Sequence, residues 1–87
     1  MGIEFDVSKI TLNDFVDENN LTSLLEYLKG AVPQKILVDM VDCSDIHTAV
    51  LQTILSYHLL YGCDFILPKE KKSFVLAIEG FFADNRC

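Results

Sequence analysis

A chain of 87 residues has room for one small domain with a modest core. An apolar fraction of 51% beside 23% charged residues excludes a disordered chain. The net charge of −6 excludes a broad electrostatic grip on nucleic acid or anionic lipid.

Cys43, Cys63 and Cys87 include no CxxC pair, and the opening MGIEFDVSK carries no signal-peptide pattern. Reduced thiols in a cytoplasmic protein are therefore expected. Ile3 to Val7 alternates apolar and acidic residues, the pattern of a half-buried strand, and Lys9 to Leu12 repeats it more weakly. The two segments can pair as a tight hairpin around Val7 and Ser8. Asn13 to Asn20 is rich in turn and cap residues, with Phe15 and Val16 as anchors. Leu21, Leu24, Leu25 and Leu28 then keep the i, i+3, i+4, i+7 spacing of an amphipathic helix, stopped by Gly30 and Pro33.

Ile36 to Met40 is a short apolar run that reads as a buried strand. Asp39, Asp42 and Asp45 follow with Ser44 among them, an acidic turn that signals the start of a helix from Ile46 to Tyr61, closed by Gly62. Asp64 to Leu67 is a further strand ended by Pro68. A last helix opens at Lys69 to Lys72 and carries Phe74, Val75, Leu76, Ile78, Phe81 and Phe82. The predicted order is β-β-α-β-α-β-α in a single domain over residues 1–87. It implies an α/β fold with a small mixed, mainly parallel sheet, covered by helices on at least one face. Ile36, Leu37 and Val38 should lie beside Phe65, Ile66 and Leu67 in adjacent strands.

The segment from Asp39 to Leu55 resembles the signature of the STAS family, the domain of anti-sigma factor antagonists and sulfate transporter tails. That signature is an apolar strand, an Asp, a loop, then Asp-Ser-x-Gly-Leu opening a helix. Asp39 falls on the strand-end Asp, and Ile46 on the apolar residue before the motif. His47 stands where the motif has Asp, Thr48 at the phosphorylatable Ser, Val50 at Gly and Leu51 at Leu. The resemblance implies a domain that acts by binding protein and is switched by phosphorylation at Thr48. It also implies a kinase or anti-sigma factor-like partner, or, for a constitutive small subunit, the ATPase of an ABC-type lipid transporter. By the same comparison the chain stops after its third helix, without the family's final elements.

Read on its own, Thr48 is either a modification site at a helix start, where a phosphate would meet unpaired N–H groups and the positive end of the dipole, or a plain cap or surface hydroxyl. The loop residues Asp39, Asp42, Asp45 and His47, with Cys43, invite a metal reading. One His and one Cys without a second ligand cluster favour solvated capping acids instead, so no metal and no cofactor are expected. Cys43 with His47, and Cys63 with His58, have the residue types of a nucleophile and base. Neither pair has an orienting third group or a glycine-rich oxyanion turn in sequence, and no catalytic residue is assigned.

From Ile46 to Cys63 the chain carries no Asp, Glu, Lys or Arg. His47, Thr48, Gln52, Thr53, Ser56 and His58 make this run too polar for membrane insertion. Thr48, Gln52 and Ser56 align at i, i+4, i+8 as an uncharged polar stripe. A solvated helix face ordinarily carries charge, whereas interface cores are depleted of it. The stripe is therefore expected to be a partner-binding face, the alternative being a helix packed internally with its polar groups hydrogen-bonded. The oligomeric state is not legible.

Overall fold

The computed structural model describes residues 2–70 and 72–85. In chain order the elements are β1 (Ile3–Asp6), β2 (Lys9–Leu12), β3 (Asp14–Val16), α1 (Leu21–Ala31), β4 (Ile36–Asp39), β5 (Cys43–Ile46), α2 (Thr48–Tyr61), β6 (Cys63–Ile66) and α3 (Ser73–Asn85). A turn of 3-10 helix over Glu18–Asn20 precedes α1. The α/β class expected from the sequence is the one that forms. Its main sheet has four strands in the order β1-β2-β4-β6. β1 and β2 make the expected antiparallel hairpin, with Asp6 opposite Lys9. β2 with β4, and β4 with β6, pair in parallel.

Alternation along the strands decides where the core lies. Ile10 is in register with Val38, and Val38 with Phe65. Ile10, Leu12, Ile36, Val38 and Cys63 are buried and belong to one hydrophobic cluster. Their neighbours Lys9, Thr11, Leu37 and Asp39 are only half-buried, while Asp64 and Ile66 are exposed. One face of the sheet is thus covered and the other is open. All three helices share the covered side. α1 packs on α2, and Phe82 of α3 reaches both His58 of α2 and Phe65 of β6, with ring centroids 5.3 Å apart in each case.

Several local boundaries differ from the sequence reading, each for a physical reason. The expected acidic turn is confined to Val41 and Asp42, where Cys43 N–H donates to the Met40 carbonyl at 3.2 Å. Cys43–Ile46 is a strand, paired in parallel with Asp14–Val16 in a separate two-stranded sheet. Each segment is too polar to declare itself, but each gives the other hydrogen-bond partners. The pair buries Val16, Cys43 and Ile46. Asp14 takes a positive φ of 53° at the irregularity in this pairing, a conformation Asp tolerates better than most residues. Gly2 lies against this sheet so tightly that a Cβ there would come within 2.6 Å of the Phe15 carbonyl oxygen. With β3 following β2 after Asn13 alone, and β5 following β4 after Met40 to Asp42, the small sheet caps the carboxyl ends of the parallel strands.

The turn residues of Asn13 to Asn20 do cap, but around Asp17. Its carboxylate accepts from Asn19 N–H at 2.9 Å, and Asn20 Oδ1 accepts from Asp17 N–H at 3.2 Å. α1 continues through Gly30 to Ala31, so the proline turn after it, not the glycine, ends the helix. Its buried residues are Leu24 and Leu28, while Leu25 points outward. The strand expected at Asp64 to Leu67 starts one residue earlier, and Leu67 lies outside it. α3 starts at Ser73 rather than in the lysine run, of which Lys71 lies outside the described residues, as does Cys87. Ile36 to Val38 pairs with Cys63 to Phe65, as the βαβ pattern requires. Leu37 and Ile66 are less buried than expected because only one face of the sheet is covered.

Two glycines give opposite expectations. Gly62 closes α2 at φ 92°, where an L side chain is strained. Gly80 sits inside α3, and a Cβ there would meet nothing within 4 Å. Gly62→Ala should lower stability by about 1 kcal/mol or more, whereas Gly80→Ala should raise it by roughly 0.5–1 kcal/mol through helix propensity. Urea unfolding midpoints of the two variants check both signs.

Candidate functional site

The structure places the residues singled out in the sequence in two different settings. The acidic loop does not converge. Asp39 Oδ2 lies 3.7 Å from Lys9 Nζ, and its Oδ1 accepts from Val41 N–H at 3.2 Å. Asp45 Oδ1 accepts from Ile46 N–H at 2.8 Å, and Asp42 is exposed with its carbonyl accepting from Asp14 N–H at 3.0 Å. Among the described residues no three His, Cys, Asp or Glu side chains gather as a metal site would require. The space past the strand ends, where α/β sheets commonly hold ligands, contains the buried side chains of Met40 and Cys43.

The two thiols are held in their protonated form. Burial, first of all, pushes Cys43 from 9.0 up to about 11, with backbone hydrogen bonding at Asp45 opposing it and the charges of Asp45 and Asp14 adding to the rise. Burial likewise pushes Cys63 up to about 11, with Asp64 adding to it. The imidazoles with the residue type to act as their bases are engaged in backbone hydrogen bonds. His47 Nδ1 accepts from Ala49 N–H at 3.1 Å and so caps α2. His58 Nδ1 accepts from Cys63 N–H at 2.9 Å and fastens the end of α2 to β6. Both bonds require the Nδ1 lone pair, hence a ring unprotonated at that atom.

The charge-free helix carries the more informative arrangement. Its apolar inner side, including Val50, Ile54 and Tyr57, is buried, and Tyr57 Oη donates to the Gln34 carbonyl. Of its polar side chains, His47 and His58 are committed as above, and Thr53 Oγ1 donates to the Ala49 carbonyl at 2.8 Å. Thr48, Gln52 and Ser56 are all exposed. Thr48 is the first residue of the helix, immediately after the His47 cap. The three form one wall of a groove of about 620 Å³, together with Leu51 and Leu55 from the same helix. Ala77, Gly80 and Phe81 of α3 form the other wall. None of the lining residues carries a formal charge.

The sequence reading found the α2 wall and missed the α3 wall. Ala77 and Gly80 do carry a signal, small residues three apart on an otherwise bulky apolar helix, but only the packing of α3 beside α2 turns it into a groove. No helix among the described residues is long and apolar enough to cross a membrane. The run from Ile46 to Cys63 is instead divided between the end of β5, α2 and the start of β6.

No protein-family model matches this chain, and neither does any curated protein or solved structure.

The buried thiols set an alkaline limit. A group that stays protonated in the folded chain to about pH 11 but ionises near pH 9 when unfolded makes the unfolded state lose protons first. Stability should therefore hold up to about pH 9 and fall as pH rises through 11; the raised Tyr27 and Tyr57 act in the same direction. Native protein treated with iodoacetamide at about pH 8 should leave Cys43 and Cys63 unlabelled by peptide mass mapping, because the thiolate is the reactive form. Labelling at the rate of the unfolded chain would contradict this.

Proposed function

We propose that this domain is a non-enzymatic protein-interaction module of STAS type, docking through the uncharged groove between α2 and α3. The observation that carries this reading is the exposure of Thr48, Gln52 and Ser56 on a helix face without charge. A solvated face gains solubility from charge at little cost, and this chain has charge in quantity elsewhere, with 13 acidic and 7 basic residues. An interface core, by contrast, excludes charge because a buried unpaired ion is costly. The engaged imidazoles and protonated thiols support binding over nucleophilic catalysis.

The phosphorylation switch fits the same face. Thr48 stands exposed at the first position of α2, on the rim of the groove. A phosphate there would bring about −1.5 to −2 charges to a surface that otherwise has none. Docking of a kinase or anti-sigma factor-like partner would be released by it; in the alternative reading, a constitutive subunit docked on a transporter ATPase, the face works without the switch. Such a partner would be recognised by its own uncharged, apolar contact surface.

Gln52→Arg tests the reading. Because Gln52 is exposed, the substitution should shift unfolding by no more than about 0.5 kcal/mol. In a dehydrated interface the same guanidinium should cost on the order of several kcal/mol of binding. Thermal unfolding and affinity capture from the protein's own cells, compared with wild type, should show normal melting and loss of partners. Normal melting with every partner retained would refute docking at this face. Thr48→Glu, captured the same way, should reproduce the loss if phosphorylation is the switch.

A further inference from the structure

The chain has 2 histidines, and they stand at opposite ends of α2, His47 as its cap and His58 in its last turn. Both use the same ring atom in the same way. His47 Nδ1 accepts from Ala49 N–H at 3.1 Å, and His58 Nδ1 accepts from Cys63 N–H at 2.9 Å. Ala49 N–H lies in the opening turn, where an α-helix offers its own amides no carbonyl partner. A neutral imidazole has one nitrogen that accepts, and a protonated ring has none. We propose that the paired imidazoles are an acid-release device, holding both ends of α2 while neutral and letting them go when protonated.

The two ends differ in what surrounds the ring. At the start, the backbone of His47 is fixed independently of its side chain. Its N–H donates to the Val16 carbonyl at 2.7 Å, and its carbonyl accepts from Leu51 N–H at 3.0 Å. Only the cap is therefore at stake there, and with it the first turn that bears Thr48. The charged groups on the elements packed around this end are Asp14 of β3, Asp45 of β5, and Asp17 and Glu18 of the 3-10 turn. The carboxylates of Asp45 and Asp17 already accept from Ile46 N–H and Asn19 N–H. An imidazolium at His47 also meets the positive end of the helix dipole.

At the other end, the His58 ring is wedged against Phe65 of β6 and Phe82 of α3, with centroids 5.5 and 5.3 Å away. The titratable and charged groups on the elements there are Tyr57 and Tyr61 of α2, Cys63 and Asp64 of β6, and Glu79 of α3. Asp64 pairs with Lys35 at 3.2 Å, and burial keeps the Cys63 thiol protonated to about 11. A protonated His58 faces Cys63 N–H donor to donor, so the ring has to turn out of the junction of α2, β6 and α3. Here the dipole favours the cation while the lost bond opposes it. Release is accordingly stronger at His47 than at His58.

The sign of the pH dependence follows. Unfolded, each imidazole takes up its proton freely at about pH 6.5, whereas the folded chain takes it up only by giving up a hydrogen bond. The unfolded state thus binds more protons, and stability falls as pH drops through this range. For docking, the consequence rests on the reading of Thr48, Gln52 and Ser56 as a partner face. Acid would loosen the helix that presents it.

Nuclear magnetic resonance of the 15N-labelled full chain, from about pH 7.5 to about pH 5.5, where imidazole is the side chain that ordinarily changes charge, is the test. At the upper limit both rings should carry their proton on Nε2. On acidification the Ala49 and Cys63 amides should move to the positions of unbonded amides in step with their own rings, while Val38 in β4 stays put. Over the same range the unfolding constant in urea should rise about fivefold or more, the worth of one ordinary hydrogen bond. His47→Asn keeps a capping acceptor that does not titrate, and His58→Phe keeps a ring between Phe65 and Phe82. The first should remove more of the pH dependence than the second, and the two together nearly all of it. A proton on Nδ1 of either ring at neutral pH, amides that stay still while the rings titrate, or a double variant as acid-sensitive as wild type would each overturn the proposal. Partner capture at about pH 7 and about pH 6, spanning ordinary imidazole titration, separates it from the docking reading. If the amides respond but Gln52→Arg retains every partner, the acid device stands and only its link to docking is refuted. If Gln52→Arg loses partners but the amides do not respond, docking stands and the acid device is refuted.

Discussion

The packing of α2 against one face of the sheet is the interaction on which the rest of this structure depends. Val50 and Ile54 join Ile10, Ile36 and Val38 in the central cluster, and all five are essentially without solvent exposure. α2 is also the crossover that makes β4 and β6 parallel neighbours, and it touches α1 on one side and the Phe82 ring of α3 on the other. Burying an aliphatic side chain of this kind is worth roughly 1.5–3 kcal/mol. Stability in so short a chain is thus concentrated on one side of one sheet. With its inner side committed to the core and its flanks to two helices, α2 leaves exposed the stripe of Thr48, Gln52 and Ser56, continued at its end by Leu59, Leu60 and Tyr61. Fold and candidate function are consequences of the same placement.

The two outer surfaces of the domain are built on different principles. The open face of the sheet bears the charged Glu4, Asp6, Lys9, Asp39 and Asp64 around the half-buried Leu37 and the exposed Ile66. Lys9 pairs with Asp39 at 3.7 Å, and Lys35 reaches Asp64 at 3.2 Å. Exposed pairs of this kind add little stability, typically below about 1 kcal/mol, but they keep that surface solvated. The helix layer opposite has a groove whose lining carries no charge, and its α2 and α3 helices expose Leu59, Leu60 and Leu76. Parallel strands are ordinarily covered on both faces. Here the uncovered face carries these charges in place of a second layer, and the proposed docking surface lies on the helices instead.

Much of this was legible in the sequence wherever a single segment carried its own periodicity. The alternation of Ile3 to Val7, the apolar run before Asp39 and the spacing of Leu21 to Leu28 each located an element, and Gly62 marked the end of α2. The Thr48, Gln52, Ser56 stripe was visible because helical spacing and missing charge are both properties of one segment. Features that need two distant segments were not visible. β5 reads as an acidic turn until β3 supplies its hydrogen bonds, and His47 reads as a loop residue until the first turn of α2 presents Ala49 N–H to it. The α3 wall of the groove belongs to the same class, since Ala77 and Gly80 gain meaning only beside Leu51 and Leu55.

The central claim, that the α2–α3 face is where this domain meets protein, is tested most directly by contact itself. A photo-crosslinking amino acid in place of Leu59 should report a neighbour that one in place of Thr11, on the open sheet face, should not. Irradiated in the protein's own cells, the Leu59 position should give discrete adducts, whether of twice the chain's mass or with another protein, and the Thr11 position none. Adducts from Thr11 with none from Leu59, or equal diffuse labelling from both, would contradict a docking face on the helices.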